Sequence, residues 1–346
     1  MWEMKAEELY EFININDFSS TPKYLQLTNS IIAAIESGRM ERNCLLPSIN
    51  EISFKFDIGR DTVERGYRHL RKLGIIYSVP GKGYYTSNID FRQKIKVFLL
   101  FNKLSAHKKI IYESLVETLG ADTGIDLYVY NNDAYLFKKI LANIKDDYTH
   151  YVIIPHCADG EEHVVELINQ IPKEKLLLLD KLLSGVNGDY KAVYENFGKD
   201  IYGALKNALP ELAKYDTLKL VFPSLSCFPK EIVVGFRQFC QQYAFTHDVI
   251  DDVTKCVLSK GEVYISLTED DLVLLLQKVT TSELNIGIDI GVISYNETPI
   301  KKILLNGITT ISTDFQKMGQ VAANMIIQNR HEQVEIPFYY IKRASL

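Results

Sequence analysis

Residues 46–85 carry the clearest pattern of apolar and polar positions in the chain. Ser48 and Glu51 form an S-x-x-E capping box, which predicts that a helix begins at Ser48. A second helix is predicted to open at Gly59, because an apolar stripe then recurs at i, i+4 and i+7. The stripe consists of Val63, Tyr67 and Leu70. Two helices in such close succession are typical of a helix-turn-helix pair.

The face of the second helix opposite this stripe is polar and mostly basic. It is formed by Asp61, Arg65, Arg68 and Lys72, with Arg60 at the amino-terminal edge. Gly74 is placed to end the helix, and residues 75–86 then predict a hairpin that turns at residues 80–83 with Lys82 at its tip. A basic helix face followed by such a wing is what a reader of the DNA major groove requires.

This stretch resembles the winged helix of the GntR family of bacterial transcription regulators. The matching positions are Pro22, Lys23, Tyr24, Gln26, Ile35, Gly38, Arg39, Leu46, Pro47, Ser48, Glu51, Arg60, Thr62, Val63, Tyr67, Leu70, Gly74, Ile75, Gly81, Lys82 and Gly83. The resemblance implies contacts to double-stranded operator DNA from Ser48, Asn50, Arg60, Asp61, Thr62, Arg65, Gly81 and Lys82. Asn50 stands where the family usually has an arginine and Gly59 where it usually has a Ser or Thr cap, so the operator sequence does not carry over.

The charge distribution supports a DNA-binding segment near the amino terminus. The whole chain of 346 residues has a formal net charge of −5. Residues 21–88 nevertheless contain ten Lys or Arg and only six Asp or Glu, a balance of +4, whereas residues 1–20 carry −4. The basic excess therefore lies where phosphate contacts are expected.

Several classes of protein are disfavoured by what the sequence lacks. The five cysteines (Cys44, Cys157, Cys227, Cys240 and Cys256) are scattered without a C-x-x-C motif, which favours reduced thiols over disulfides or metal ligation. The first ten residues, MWEMKAEELY, are too acidic for a signal peptide, and no apolar run approaches the roughly 18 residues of a membrane helix. No P-loop, G-x-S-x-G or H-E-x-x-H motif is present. We therefore expect a cytoplasmic protein that is not an enzyme and has no cofactor, metal or membrane partner.

From residue 95 onwards, short apolar runs alternate with amphipathic stretches. The predicted strands are 97–101, 127–130, 151–154, 176–179, 218–222, 263–267 and 291–295, and helices are predicted at 109–119 and 162–171. This alternation predicts an α/β fold whose parallel sheets are covered on both faces, and about 250 residues suit two lobes. The predicted organisation is an arm at 1–20, a winged helix at 21–87 whose first helix spans 23–37, a linker at 88–94 and a two-lobed domain at 95–346.

Residues 95–346 resemble the periplasmic-binding-protein-like effector domain of LacI-type regulators. The resemblance rests on Gly307, Ile308, Thr309, Thr310, Ile311, Met318, Gly319, Ala322, Ala323, Arg343, Ala344 and Ser345 at the end of the chain, and on Ile153, Ile154, Pro155, Asp180, Lys181, Glu195, Asn196, Gly203, Leu205, Gly235, Phe236, Asp289, Val292, Tyr295, Asn296, Thr298 and Pro299 before it. The loop at 102–109 departs from the family pattern. A GntR head on a LacI-type body resembles the arabinose-repressor type of regulator.

Polar residues just beyond the predicted strand ends are the candidate effector ligands, because small molecules bind at the carboxyl ends of parallel strands. From this position we expect Asn102, Lys103, His107, Lys108, Asn132, His156, Asp180, Phe228, Lys230, Asp270 and Asn296 to contact an effector. The LacI resemblance implies the same role for Glu195, Asn196, Lys230, Asp270 and Asn296, of which Asn296 replaces a usual Asp. Each of these residues has a competing interpretation as a turn or cap residue.

The two resemblances together imply a homodimeric repressor of carbohydrate-utilisation genes that is released from its operator when a monosaccharide binds between the lobes. Two alternatives stay open from the residues. The protein is an activator, or it senses a sugar phosphate or another small metabolite, since Lys103, Lys108 and Lys109 offer charges for a phosphate.

Overall fold

The computed structural model describes residues 9–36, 39–40, 43–87, 95–144, 148–156, 160–223 and 227–346. The predicted linker at 88–94, the first eight residues of the predicted arm, Gly38 and Cys157 lie outside the described residues. The chain divides into two compact units. The first comprises Met1–Phe101, Leu119–Tyr130 and Lys139–Val152, and the second comprises Asn102–Thr118, Asn131–Lys138 and Ile153–Leu346.

The first unit begins with three helices and a two-stranded antiparallel hairpin, as the sequence pattern predicts. Their bounds are α1 Lys23–Glu36, α2 Ile49–Phe56, α3 Arg60–Lys72, β1 Ile76–Val79 and β2 Gly83–Thr86. The apolar stripe predicted in this head is fully buried. It consists of Val63, Tyr67 and Leu70. The head therefore has its own small core, to which α1 contributes Leu27 and Ile31.

The helix ends of the head follow from local chemistry. The capping box is present in both directions: the Glu51 amide donates to Ser48 Oγ at 3.3 Å, and the Ser48 amide donates to Glu51 Oε2 at 2.7 Å. Gly74, just beyond α3, has a φ of +75°, a left-handed conformation that glycine adopts without a Cβ penalty. Tyr67 spans the core and donates from its hydroxyl to the Pro47 carbonyl at 2.6 Å. These contacts fix α3 against α2.

The remaining elements alternate between strand and helix. In chain order they are β3 Ile95–Phe101, α4 Ala106–Leu119, β4 Thr123–Val129, α5 Ala134–Ala142, β5 His150–Ile153, α6 Glu161–Asn169, β6 Leu176–Asp180, β7 Lys191–Tyr194, α7 Phe197–Asn207, α8 Leu209–Leu212, β8 Thr217–Val221, α9 Glu231–Gln242, β9 Thr246–Ile250, β10 Glu262–Ser266, α10 Glu269–Thr280, β11 Ile290–Tyr295, β12 Thr309–Thr313, α11 Phe315–Gln328, β13 Gln333–Glu335 and β14 Phe338–Ile341. Short 3-10 helices lie at Lys173–Lys175, Val253–Lys255, Pro299–Lys302 and Leu304–Asn306.

Parallel pairing dominates both units, as expected for an α/β fold. In the first unit β3 and β4 pair in parallel along their whole length. In the second unit a sheet runs in the order β14-β12-β11-β10-β8-β9, in which only β14 is antiparallel to its neighbour, and β13, β7 and β6 lie side by side in parallel. Helices α7 and α9 pack closely against each other through Gly198 of α7 and Gly235 of α9. A Cβ added at Gly235 would lie 2.1 Å from the Gly198 carbonyl oxygen.

All seven predicted strands are present. Most bounds shift by one or two residues, but β4 begins at Thr123, four residues before its predicted start. The strands β7, β9, β12, β13 and β14 were not predicted. Among the described residues, none of the helices has the length and apolar character needed to cross a membrane.

Candidate functional site

The exposed face of α3 is the candidate DNA-reading surface. Asp61, Arg65, Arg68 and Lys72 are exposed opposite the buried stripe, and Arg60 is exposed at the first position of the helix. Within the part of the chain that the structure describes, the Arg60 side chain makes neither a hydrogen bond nor an ion pair. Its guanidinium is therefore available to a base edge or a phosphate.

The other two arginines of this face are held by neighbours. The Arg65 guanidinium lies 4.1 Å from the centre of the Tyr24 ring, a cation–π contact that fixes it against α1. Arg68 donates to Glu64 Oε1 at 2.7 Å across one helical turn. Arg65 is thus held in place on the candidate DNA-reading surface, and the charge of Arg68 is partly neutralised.

The remaining residues predicted to contact DNA lie on the wing, around the start of α2 and on the first turn of α3. Gly81 turns the hairpin with a φ of +73°, and Lys82 is exposed beside it. Ser48 uses both its hydroxyl and its backbone amide in the capping box with Glu51, so both groups are already engaged in capping α2. Asn50 borders a shallow surface depression that also contacts Gly59 and Arg60. Asp61 and Thr62 lie on the first turn of α3.

The second unit contains a cavity of about 370 Å³. Its lining residues are Asn102, Lys103, His107, Lys108, Asn132, His156, Asp180, Glu195, Phe197, Pro223, Cys227, Phe228, Pro229, Thr268, Tyr295, Asn296 and Phe315. Ten of the thirteen predicted effector residues are in this set. Asn102 follows β3, Asp180 ends β6, Glu195 follows β7 and Asn296 follows β11, so strand ends bring together residues that are far apart in sequence.

A buried charge cluster centres on Asp180. His156 Nε2 donates to Asp180 Oδ2 at 2.9 Å, and Lys108 Nζ donates to the same oxygen. Burial opposes ionisation of Asp180, but the Lys108 ammonium and the hydrogen bonds from His156 and Glu195 hold the pKa of its carboxyl well below the ordinary value. Asp180 is therefore a carboxylate, and its charge is balanced inside the protein.

The pKa of the Glu195 carboxyl is shifted in the opposite direction to that of Asp180. Burial, followed by the neighbouring Asp180 charge and the hydrogen bond to it, raises the pKa of the Glu195 carboxyl well above its ordinary value. The raised pKa favours the protonated form of Glu195, which can donate a hydrogen bond to Asp180, as two adjacent carboxyl groups in a dry site require. The Lys108 ammonium acts on both carboxyl groups and lowers the pKa of each.

Aromatic side chains form much of the cavity wall. The His107 and Phe315 rings lie 4.9 Å apart, and the Lys103 ammonium lies 5.6 Å from the centre of the Phe228 ring. Burial, together with the nearby Lys108 charge, lowers the pKa of His107 to about 3, so this imidazole is neutral. The combination of apolar faces and a few fixed polar groups is typical of a small-molecule site.

Two amide oxygens of cavity residues have no hydrogen-bond donor within the described part of the chain. Asn102 uses its side-chain NH₂ to donate to Asn132 Oδ1 at 2.7 Å, and its own Oδ1 is buried without a partner among the described residues. The same holds, within the described part of the chain, for Asn296 Oδ1 and for the Tyr295 hydroxyl. Buried polar atoms are rarely left unpaired, so these groups point to a ligand that supplies hydrogen bonds.

Lys301 positions the end of β11. This lysine is almost fully buried, and its ammonium donates to the Tyr295 carbonyl at 3.1 Å and to the Asn296 carbonyl at 2.7 Å. Asn296 adopts a φ of +64°, which Asn tolerates better than most residues. The backbone is thus held so that the Asn296 side chain lies at the cavity.

Three predicted effector residues do not line the cavity. Asn196 donates from its side chain to Glu335 at 3.4 Å, Lys230 is exposed before α9, and Asp270 is exposed in the first turn of α10. Their neighbours Phe197, Pro229 and Thr268 line it instead. Thr268 also caps α10 by accepting from the Asp271 amide at 3.0 Å.

Several lining residues were not in the predicted set: Phe197, Pro223, Cys227, Pro229, Thr268, Tyr295 and Phe315. Phe315 had a usable signal, because it follows the capping residue Asp314 directly after β12. No group of three His, Cys, Asp or Glu side chains that could hold a metal ion occurs among the described residues.

Comparison with known proteins finds partial sequence similarity to bacterial transcription regulators and a similar fold among solved structures. No protein-family model matches the chain. The chain is 38% identical over 74 residues to the arabinose metabolism transcriptional repressor of Geobacillus stearothermophilus, a match that covers 21% of this chain and 20% of that protein. It is 27% identical over 146 residues to the transcriptional regulator TreR of Bacillus subtilis (strain 168), which covers 41% of this chain and 56% of the relative.

The chain thus matches about a fifth of the first relative and about half of the second. Among solved structures, the lac repressor bound to ONPG in the repressed state aligns over 100% of both chains with a TM-score of 0.61 at 13% identity. At that identity the likeness concerns the fold. The chain therefore has the two-domain α/β fold of the lac repressor and is similar in part to bacterial helix-turn-helix transcription regulators.

Proposed function

We propose that this protein is a transcription regulator of the GntR family that binds operator DNA through its winged helix and a monosaccharide in the cavity of the second unit. The observation that supports ligand binding is the pair of buried amide oxygens, Asn102 Oδ1 and Asn296 Oδ1, which belong to residues lining one cavity and have no donor among the residues that the structure describes. The observation that carries the DNA half is the exposed α3 face led by Arg60.

Hydroxyl groups fit the cavity better than other ligand groups. Asn102 and Asn296 both present acceptors, so a ligand must donate hydrogen bonds to satisfy them. A sugar hydroxyl donates one hydrogen bond and accepts others, and the aromatic rings of Phe228 and Phe315 offer apolar faces for its C–H groups. One relative, 38% identical over 74 residues, is named as an arabinose metabolism transcriptional repressor, which agrees with a sugar effector.

The charges of the cavity favour a neutral sugar over a sugar phosphate. Lys108 is neutralised by Asp180, and Lys301 is engaged with backbone carbonyls. Lys109 does not line the cavity and lies 3.5 Å from Glu113. Among the described lysines that line the cavity, Lys103 is then left to balance a phosphate group that carries about two negative charges.

We infer that the protein acts as a homodimer with one head on each half of a near-palindromic operator. An exposed apolar face on the second unit supports self-association. We assign to it the exposed apolar side chains of Val273 and Leu274 of α10 and of Ile300, Ile303 and Leu305, of which Ile303 is 73% exposed. The Lys301 ammonium lies 3.9 Å from Glu269 Oε1, so α10 and the segment at Pro299–Lys302 are neighbours.

Sugar binding is proposed to release the protein from its operator, as expected of a repressor of carbohydrate-utilisation genes. Release requires that the sugar bind the DNA-free conformation more tightly than the DNA-bound one. Activation would require the opposite preference.

The first test of the ligand half is thermal unfolding against a panel of free monosaccharides, sugar acids and sugar phosphates. A ligand at a hundred times its Kd adds about 2.7 kcal/mol of stability, which shifts the midpoint by several degrees. A hit among neutral sugars supports the proposal, and Asn102→Ala should reduce that shift while Lys230→Ala, outside the cavity, should not. A hit only among phosphates favours the alternative effector, and no hit removes the sugar from the proposal.

A further inference from the structure

Residues 16–21, on the amino-terminal side of α1, lie along β4 in the first unit. The Thr21 amide donates to the Leu127 carbonyl at 3.0 Å, and the Ser19 hydroxyl donates to the same carbonyl at 3.0 Å. The Leu127 amide donates in return to the Thr21 hydroxyl, and Ser19 forms an antiparallel bridge with Tyr128. The segment occupies hydrogen-bonding groups along an edge strand, as an added strand would.

A buried side-chain pair lies beside this backbone contact. The Asn29 side chain, on α1 of the head, donates to Asp126 Oδ1 on β4 at 3.0 Å. The second oxygen of the same carboxylate accepts from the Tyr148 hydroxyl at 2.8 Å. Asn29 and Asp126 are only 9% and 6% exposed. Hydrogen bonds of buried polar groups are costly to break, so this pair resists separation of α1 from β4.

The segment is also tied to the head on its other side. Gln26 of α1 accepts from the Asn16 amide at 2.7 Å and donates to the Thr21 carbonyl at 2.7 Å. Gln26 and Thr21 are both buried. Residues 16–21 are therefore held between α1 and β4 by hydrogen bonds to each.

We propose that Ser19, Thr21, Asn29, Asp126 and Leu127, here termed the head clasp, dock the winged helix onto β4, so that the head moves together with strands β3 and β4. Strand β3 continues directly into Asn102, which lines the cavity. The strands that carry the head are thus covalently continuous with a cavity residue. Given the proposed function, the head clasp is the contact through which the state of the cavity reaches the DNA-reading face.

Hydrogen–deuterium exchange of the full chain, without DNA or sugar, tests the docking itself. The Thr21 and Leu127 amides should exchange slowly in the unmodified protein. Asn29→Asp places a second carboxylate against Asp126, so exchange at residues 19–21 and at the clasped positions of β4 should accelerate about tenfold or more. Asn14→Asp makes the same chemical change at an exposed position and should leave these rates unaltered. Thr21 exchanging at the rate of an unstructured peptide in the unmodified protein would overturn the proposal.

A swap variant separates a specific pair from general damage to the fold. Asn29→Asp combined with Asp126→Asn exchanges donor and acceptor, and the amide at position 126 still has an oxygen for the Tyr148 hydroxyl. Slow exchange should return in the swap. If the swap exchanges as fast as Asn29→Asp alone, the Asn29–Asp126 pair does not hold the head.

Operator binding then tests the consequence of docking. Duplexes selected from a random pool should contain two half-sites, and the affinity of the unmodified protein should fall sharply when the spacer is changed by one base pair at a time. Asn29→Asp should flatten this dependence, because an undocked head adapts to several spacings. Equal spacing dependence in both proteins would refute a mechanical role for the head clasp. Absence of any DNA binding would refute the proposed function, while the exchange result would still report on docking.

Discussion

Asp180 Oδ2 accepts a hydrogen bond from His156 Nε2 at 2.9 Å. Asp180 is the last residue of β6, and His156 follows the end of β5. The same oxygen accepts from Lys108, so a single buried carboxylate joins three segments of the cavity wall. The ionised form of Asp180 is what makes this arrangement stable, since its pKa is held well below the ordinary value.

Asp180→Asn should destabilise the protein strongly. The substitution keeps a group that tolerates the φ of +75° at this position, but it removes the carboxylate that pairs with the buried Lys108 ammonium. Removing one partner of a buried ion pair typically costs about 3–5 kcal/mol. Denaturant unfolding monitored by circular dichroism measures the change.

The matched control is Asp270→Asn, an exposed aspartate in the first turn of α10, which should change stability by no more than about 0.5 kcal/mol. Adding Lys108→Met to Asp180→Asn should recover part of the loss, because the stranded charge is then removed. Equal stability of Asp180→Asn and Asp270→Asn would contradict a buried, functional ion pair.

Asp200 should make stability fall as the pH rises. Burial raises the pKa of its carboxyl from 3.8 to about 7, with the nearby Glu335 charge acting in the same direction. Between these two values the folded state retains a proton that the unfolded chain has released, so stability declines by at most about 1.4 kcal/mol per pH unit from this group. The raised pKa of Glu195 likewise makes stability fall as the pH rises. The lowered pKa of Asp180 has the opposite effect, because its contribution to stability is lost as the pH falls.

Asp200→Asn tests this linkage. Its thermal midpoint should exceed that of the unmodified protein at pH 8, and the two midpoints should converge near pH 4, where both side chains are neutral. Asp248→Asn, at an exposed position, should track the unmodified protein throughout. A constant difference between Asp200→Asn and the unmodified protein at every pH would show that the effect is one of packing.

Arg60→Ala should weaken operator binding by about 1–3 kcal/mol if Arg60 reads a base. Its guanidinium is exposed at the start of α3, without a partner among the described residues. Fluorescence anisotropy with a labelled duplex measures the change. Arg237→Ala, on the exposed face of α9 outside the head, should bind as tightly as the unmodified protein. Unchanged affinity for Arg60→Ala would remove this residue from the interface.

Ile303→Glu should dissociate the proposed homodimer. Its side chain is 73% exposed within the apolar face of the second unit, and a charge there would have to be buried on association. Light scattering on the purified protein gives the mass in solution. Val234→Glu, at the 64% exposed Val234 of α9, introduces the same charge elsewhere and should leave the mass unchanged. A dimer that persists in Ile303→Glu would place the interface on another face.

Apolar spacing was enough to predict the head and the central strands. The stripe of Val63, Tyr67 and Leu70 is buried as a helix period requires, and continuous apolar runs such as residues 176–179 have the composition of strands covered on both faces. Strand β12 was missed because its sequence, TTIST, carries four hydroxyl residues. Those residues are nevertheless buried, and Thr309, for example, donates from its amide to Ser345 Oγ at 2.7 Å and from its hydroxyl to the Arg343 carbonyl at 3.2 Å.

The cavity contains both residues that the sequence predicts and residues that it could not predict. Position after a strand located Asn102, Asp180 and Asn296, because parallel strands deliver their carboxyl ends to one edge. Position alone does not decide which residue of a polar run faces the cavity, so the sequence predicts Asp270 where Thr268, two residues before it, lines the wall. Phe315 reaches the cavity from α11, more than two hundred residues from His107, and only folding brings the two rings together.

The central claim is that DNA binding responds to a small molecule. The most direct measurement is the affinity of the purified protein for a duplex selected from a random pool, with and without each sugar that shifts its thermal midpoint. We expect a stabilising monosaccharide to weaken operator affinity at least about tenfold, a coupling of about 1.4 kcal/mol. Operator affinity that stays the same with every compound that stabilises the protein would contradict the claim.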